Sequence, residues 1–217
     1  MSVKLIPVIE ITYYSFGDNS PMDGPYWKYA EAWDTFKEDC LKKAGFPDKM
    51  NSYDRGGSLY SLSDITGANL LKLIKDEWED SDKDVENLST LVGGYILNIN
   101  GVDKLYPQCC GDLGDISEWE RLLTNEENPY FWIGHPSPSI VNKGDTVVFD
   151  LEHPNVSEGF VPEHNDLYIE VSKEDLAKAI DGTKKELDTF ADRLSVINEK
   201  EQLNIPDIAQ ILIYGNN

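Results

Sequence analysis

Apolar positions recur along this chain with two periods, and the switches between them outline its secondary structure. Val3 to Tyr14 is dense in β-branched and aromatic residues and predicts a first strand, with Pro7 accommodated at an edge or bulge. Gly17-Asp18-Asn19-Ser20-Pro21 breaks it. From Pro25 the period lengthens. Ala30, Trp33, Phe36 and Cys40 form one apolar stripe, Glu31, Asp34, Lys37 and Glu38 lie opposite, and Gly45-Phe46-Pro47 stops the helix. On that stripe Cys40 is expected to be an inert core thiol. Asn51 to Ser63 is turn-rich around Gly56-Gly57, and a second helix is predicted from Thr66 to Trp78, burying Leu70, Leu71, Ile74 and Trp78.

The middle of the chain reads as strand. Tyr95 to Ile99 and Val102 to Tyr106 flank Asn100-Gly101, the residue pair that a type I′ turn demands, and so predict a hairpin. Its register sets Ile99 opposite Val102, Ile96 opposite Leu105 and Tyr95 opposite Tyr106. Asp115 or Ser117 is placed to cap a short helix carrying Trp119, Leu122 and Leu123. Tyr130–Ile133, Thr146–Leu151 and Leu167–Val171 are predicted strands, with a turn at Gly144-Asp145.

Ser172 to Asp175 resembles a capping box. After it Leu176, Ile180, Thr183, Leu187, Phe190, Leu194 and Ile197 recur four and three apart, a seam for one long helix with Gly182 as a potential break. Packing of that seam across the sheet is favoured over a coiled coil, because three heptads with a threonine inside make a thin one. The tail from Pro206 to Tyr214 is read as a strand through Ile211-Leu212-Ile213, with a helix as the alternative. With an antiparallel hairpin and no βαβ regularity, the expected class is α+β: a mainly antiparallel or mixed sheet with helices packed on one side. No repeat or linker-like segment divides the chain, so a single globular domain over residues 1–217 is expected.

Charge sharpens this outline. The chain carries forty acidic and nineteen basic side chains, a formal charge of −21. Residues 73–170 hold twenty-one acids against five bases, a net of −16, while the flanking segments are close to balance. Such a field repels phosphate backbones and anionic headgroups, which argues against nucleic acid and membrane as partners and for basic proteins. The densest run, residues 76–86, has seven acids and one lysine and is expected to be a solvated loop or a frayed turn at the end of the second helix, since acids are disfavoured at a helix C-terminus. The N-terminus lacks a signal-peptide pattern and three cysteines form no disulfide framework, which together predict a cytoplasmic protein.

Three groups of residues invite chemical readings. Cys109-Cys110 sits in a Gly-rich turn, where adjacent thiols can bind a soft metal, close a strained vicinal disulfide or supply a nucleophile. No Cys-x-x-Cys accompanies them and the surroundings are acidic, so a tight turn of buried thiols, with Asp112 or Asp115 capping the helix, is the plainer expectation. His153 and His164, with Asp150 and Asp166, sketch a metal-dependent hydrolase, although no His-x-x-x-His spacing supports it. Asp76, Asp80, Asp82, Asp84 and Glu86 lack the glycine of a calcium loop. Phosphate-binding glycine loops and the Gly-x-Ser-x-Gly elbow are absent.

What remains is recognition. The expected function is that of a non-enzymatic acidic binding protein, without cofactor or metal, that recognises a basic protein partner. Its candidate face comprises Asp76, Glu77, Glu79, Asp80, Asp82, Asp84, Glu86, Asp112, Asp115 and Glu118. Loop aromatics Tyr53, Tyr130, Phe131 and Trp132 would add affinity. In charge and size the chain is similar to small acidic bacterial immunity proteins that block basic toxins, though it shares no motif with them. The alternative is the hydrolase built from the 150–166 histidines and acids.

Overall fold

Strand β1 (Val3–Glu10) opens the chain, followed by helix α1 (Ala30–Lys43), β2 (Leu59–Ser61) and α2 (Gly67–Asp80). The hairpin β3 (Gly93–Ile99) and β4 (Val102–Leu105) comes next, then a 3-10 turn (Leu113–Asp115) and α3 (Ile116–Arg121). Strands β5 (Ser139–Lys143), β6 (Thr146–Asp150) and β7 (Tyr168–Ser172) precede the long helix α4 (Lys173–Lys200) and α5 (Ile208–Tyr214). This computed structural model describes residues 1–13, 20–21, 24–163 and 166–216. The break expected at 17–21 therefore falls largely outside the described residues, and His164 wholly so, while the first strand, expected to reach Tyr14, stops at Glu10. The fold is α+β with antiparallel sheets: one of four strands in the order β2-β1-β3-β4, one of three in the order β5-β6-β7. By contact the chain gathers into two compact units, Met1–Pro7 with Thr90–Thr189 and Val8–Ser89 with Phe190–Asn217, so that β1 and α4 each contribute residues to both.

In the first unit Asn100 and Gly101 both take positive φ, 53° and 83°, and make the predicted reversal between β3 and β4. Ile99 faces Val102 as expected, but a bulge between Leu97 and Asn98 pairs Leu105 with Leu97 instead of Ile96, and β4 ends before Tyr106 can meet Tyr95. The extra residue lets Leu105 turn inward, 2% exposed, while Lys104 reaches Asp166 at 2.7 Å. β5 and β6 meet at a two-residue turn, Gly144-Asp145, with Gly144 at φ 62°. The segment 130–133, expected as a strand, keeps its alternation, with Phe131 and Ile133 buried, but joins neither sheet. Pro129 and Pro136 bracket it and offer no N–H to a ladder. Trp119, Phe131 and Phe149 form the aromatic centre of the core, ring centroids 5.0 to 5.8 Å apart. Ser172 caps α4 by accepting the Asp175 N–H at 3.1 Å. One turn beyond Ala179, the Thr183 hydroxyl donates to the Leu5 carbonyl of β1 at 2.6 Å.

In the second unit β1 continues against β2, Ile9 opposite Tyr60. Thr66 caps α2 by accepting the Asn69 N–H, and the helix buries Asn69, Leu70, Leu73 and Ile74, leaving the expected Leu71 and Trp78 half-buried. α1 also turns differently from its predicted stripe: Trp33, Phe36 and Cys40 are half-buried, and the buried pair is Lys37 and Leu41. α4 runs unbroken through Gly182, and its seam is buried within the chain from Leu176 to Leu194. The tail is a helix, not a strand. Asp207 enters a left-handed conformation at φ 45°, and Ile208, Ile211 and Leu212, spaced three and four apart, then go inward together with Ile213. A β-strand would send Ile211 and Leu212 to opposite sides.

Candidate functional site

The ten candidate carboxylates divide between the two units. Asp76 to Glu86 belong to the second; Asp112, Asp115 and Glu118 belong to the first. In the second unit the run begins on the helix predicted to Trp78, and α2 persists two residues further, through Asp80. Lysines offset the unfavourable macrodipole: Lys72 pairs with Asp76 at 2.5 Å and Lys83 with Glu79 at 2.8 Å, both one turn apart. Asp76 is a structural anchor, also accepting the Tyr13 hydroxyl at 2.5 Å. Burial and that bond push the Tyr13 phenol far above its ordinary range. Glu77 is half-buried, and burial first, then Asp80 and Asp76, pushes its carboxyl up.

Beyond α2 the chain reverses sharply. Ser81 donates to the Trp78 carbonyl at 2.9 Å, and Asp82 and Lys83 sit in the left-handed region at φ 56° and 59°. Asp84 accepts the Glu86 N–H at 3.0 Å. Glu79, Asp80, Asp82, Asp84 and Glu86 are all exposed, with Lys83 the one base within the run. These five carboxylates stand in solvent; Asp76 and Glu77 point partly inward.

The three acids of the first unit are built into a helix start. Asp112 accepts the Gly114 N–H at 2.7 Å and Asp115 accepts the Asp112 N–H at 3.0 Å, a reciprocal capping box ahead of α3. Burial, opposed by that hydrogen bond, pushes Asp115 up to about 7. Glu118 pairs with Arg121 at 2.9 Å, and burial raises its carboxyl too. Capping accounts for Asp112 and Asp115 without a partner.

The histidine and acid group is dispersed. His153 Nδ1 lies 3.0 Å from Asp150, Asp166 is held by Lys104, and His164 falls outside the described residues. Among the described residues no set of three or more His, Cys, Asp or Glu is placed to hold a metal ion. Of the loop aromatics, Tyr130 is 61% exposed, Tyr53 and Trp132 are half-buried and Phe131 is core. Cys109 and Cys110 are exposed, where buried thiols were expected.

Periodicity missed a polar site on α1. Lys37, assigned above to the solvent face, is only 6% exposed. Its ammonium donates to the Gly56 carbonyl at 2.6 Å and lies 5.3 and 5.4 Å from the ring centres of Tyr26 and Trp33. One turn earlier Asp34 accepts the Gly56 N–H at 2.6 Å, so two side chains of α1 grip one glycine. Gly56 sits at φ 77°, and a Cβ there would meet Ala30 Cα at 2.8 Å. Burial pulls Lys37 down to about 8 against the opposing effect of Asp54. A cavity of about 320 Å³ opens beside this clamp, its charged walls already paired: Lys49 with Glu38 at 2.6 Å, Arg55 with Asp34 at 3.6 Å. The glycine pair at 56–57 was the available signal, since a turn of that kind admits a helix at close range.

No helix among the described residues is long and apolar enough to cross a membrane. Comparison with protein-family models, with curated proteins and with solved structures finds no match for the chain.

Proposed function

We propose that the chain is a non-enzymatic recognition protein whose acidic segment at the end of α2 takes a basic protein partner, as an immunity protein takes a basic toxin. The supporting observation is the exposure of Glu79, Asp80, Asp82, Asp84 and Glu86 around a single lysine. Their charge is left in solvent, where it acts at a distance and steers an oppositely charged surface into contact. Asp112, Asp115 and Asp76, spent on capping and anchoring, are left out of this contact surface. The hydrolase alternative gains no support from Asp166, which Lys104 occupies.

The partner to test first is a basic toxin domain encoded beside this chain's gene. Association rates are measured at rising ionic strength for the wild type and for a variant with all five exposed acids changed to Asn or Gln. The wild-type rate should fall by about tenfold or more between low and high salt, and the neutralised variant should start near the wild type's high-salt rate. A rate indifferent to both salt and neutralisation refutes the proposal.

A further inference from the structure

We infer that Cys109 and Cys110 form a two-thiol chelating site for a soft, thiophilic centre of the trivalent-arsenic type. Both thiols are exposed, and their sulfurs stand 3.3 Å apart. The turn that carries them is fixed from several sides. The Gly111 N–H donates to the Gln108 carbonyl at 3.1 Å, leaving the two cysteines at the corners of a four-residue turn. Gln108 N–H donates to Ile133 at 2.7 Å, His135 N–H to Cys109 at 2.9 Å and Gly93 N–H to Gly111 at 2.9 Å. Gly134 packs so closely that a Cβ would meet the carbonyl oxygens of Gln108 and Cys109 at 2.4 Å. Cys110 itself sits at φ 71°, a left-handed conformation uncommon for a non-glycine residue.

A rigid turn presenting two outward thiols is a preorganised chelate, since little freedom is left to lose on binding. Thiolates are soft donors and select soft acceptors. Neighbouring Cα atoms lie about 3.8 Å apart across a trans peptide, below the roughly 4.4 Å at which unstrained disulfides begin. A direct S–S bond must therefore distort the turn, whereas an atom bonded to both sulfurs bridges them with the backbone in place. Because the described residues offer no third protein ligand nearby, the centre must be satisfied by two protein donors plus its own substituent. An organoarsenoxide meets that condition. Two As–S bonds form, the arsenic–oxygen bond breaks, and the oxygen leaves as water with both thiol protons, so no oxidant or reductant is consumed.

The probe is phenylarsine oxide, added to the full chain and followed by intact mass and peptide mapping. The expected result is one adduct per chain, bridging Cys109 and Cys110, stable to excess monothiol and released by a dithiol. Cys109→Ser and Cys110→Ser should each weaken binding about 100-fold, because the second bond no longer closes intramolecularly. Cys40→Ser, on the half-buried thiol of α1, should change nothing. Circular dichroism and melting temperature establish that the serine variants fold. Adduct on Cys40, removal of the wild-type adduct by monothiol, or single-serine variants that bind like wild type would each overturn the inference.

Discussion

Replacing Asn69 with leucine measures how much one buried side chain contributes by fastening a surface loop to α2. Asn69 is fully buried and makes two bonds to the same residue, accepting the Asp48 N–H at 3.1 Å and donating to the Asp48 carbonyl at 3.0 Å. Leucine is close in volume, so the variant removes both bonds and opens little cavity. Each bond contributes about 1 kcal/mol net, and an abandoned polar group costs about 1–3 kcal/mol when water cannot reach it. Asp48 is exposed, so its freed groups are partly rehydrated, and the loss comes to about 2–3 kcal/mol. For a chain of this length that lowers the melting temperature by about 5–10 °C. Urea denaturation followed by far-UV circular dichroism should show the midpoint falling with an unchanged slope. Thr66 holds the same loop, its hydroxyl donating to the Asp48 carboxylate at 2.6 Å while its oxygen caps α2. Thr66→Ala should therefore cost about 1 kcal/mol alone and less in the Asn69→Leu background. A loss below about 0.5 kcal/mol for Asn69→Leu, or strict additivity of the two changes, refutes the reasoning.

Gly134→Ala should destabilise by at least about 2 kcal/mol, measured by chemical denaturation, because φ is 103° and two carbonyl oxygens occupy the space of the new Cβ. Asp115 is raised from 3.8 to about 7, so the folded state keeps its proton longer than the unfolded state does. Its stabilising contribution is present below pH 3.8 and lost as pH rises through about 7. Asp115→Asn should flatten that part of the stability curve in a pH series of urea melts. Lys37 is shifted the other way, from 10.5 to about 8, so it contributes stability above pH 10.5 that is lost as pH falls through about 8. Lys37→Met should abolish the rise in stability between those values, leave the Gly56 carbonyl without its donor and lower stability at pH 9, read in the same melts.

Local chemistry made several elements legible. Asn100-Gly101 could only reverse the chain, Ser172 and Asp175 could only start a helix well, and the seam from Leu176 to Leu194 fits no other period. What escaped was set by distant contacts. Lys37 looks like a solvent residue until Gly56, nineteen positions on, is folded against its helix. The three-residue β2 is too short to show a period, and its identity as a strand comes from Val8 to Glu10 beside it. The tail has the spacing of a helix at Ile208, Ile211 and Leu212, but the run Ile211-Leu212-Ile213 has the composition of a strand, and periodicity was the better guide. Beyond Trp78 the acidic run was legible as exposed, yet the helix continues to Asp80, with Lys72 outside the run and Lys83 inside it as countercharge. The 1–217 chain offers no linker because two boundaries of its compact units fall inside β1 and α4, where composition does not change.

That each unit is assembled from two separated stretches has a consequence for synthesis on the ribosome. Residues 8–89 emerge early, but Phe190 and Leu194, fully buried members of the same unit, follow about a hundred residues later. Until then the unit lacks these two buried side chains, and the residues already made must wait through the translation of the whole intervening unit. At ordinary elongation rates that interval lasts about 5–20 s, long enough for a chaperone to engage them. Arg193 then secures the closure, its guanidinium donating to the carbonyls of Leu62 and Ile65, so a side chain of α4 fastens a segment made about 130 residues earlier.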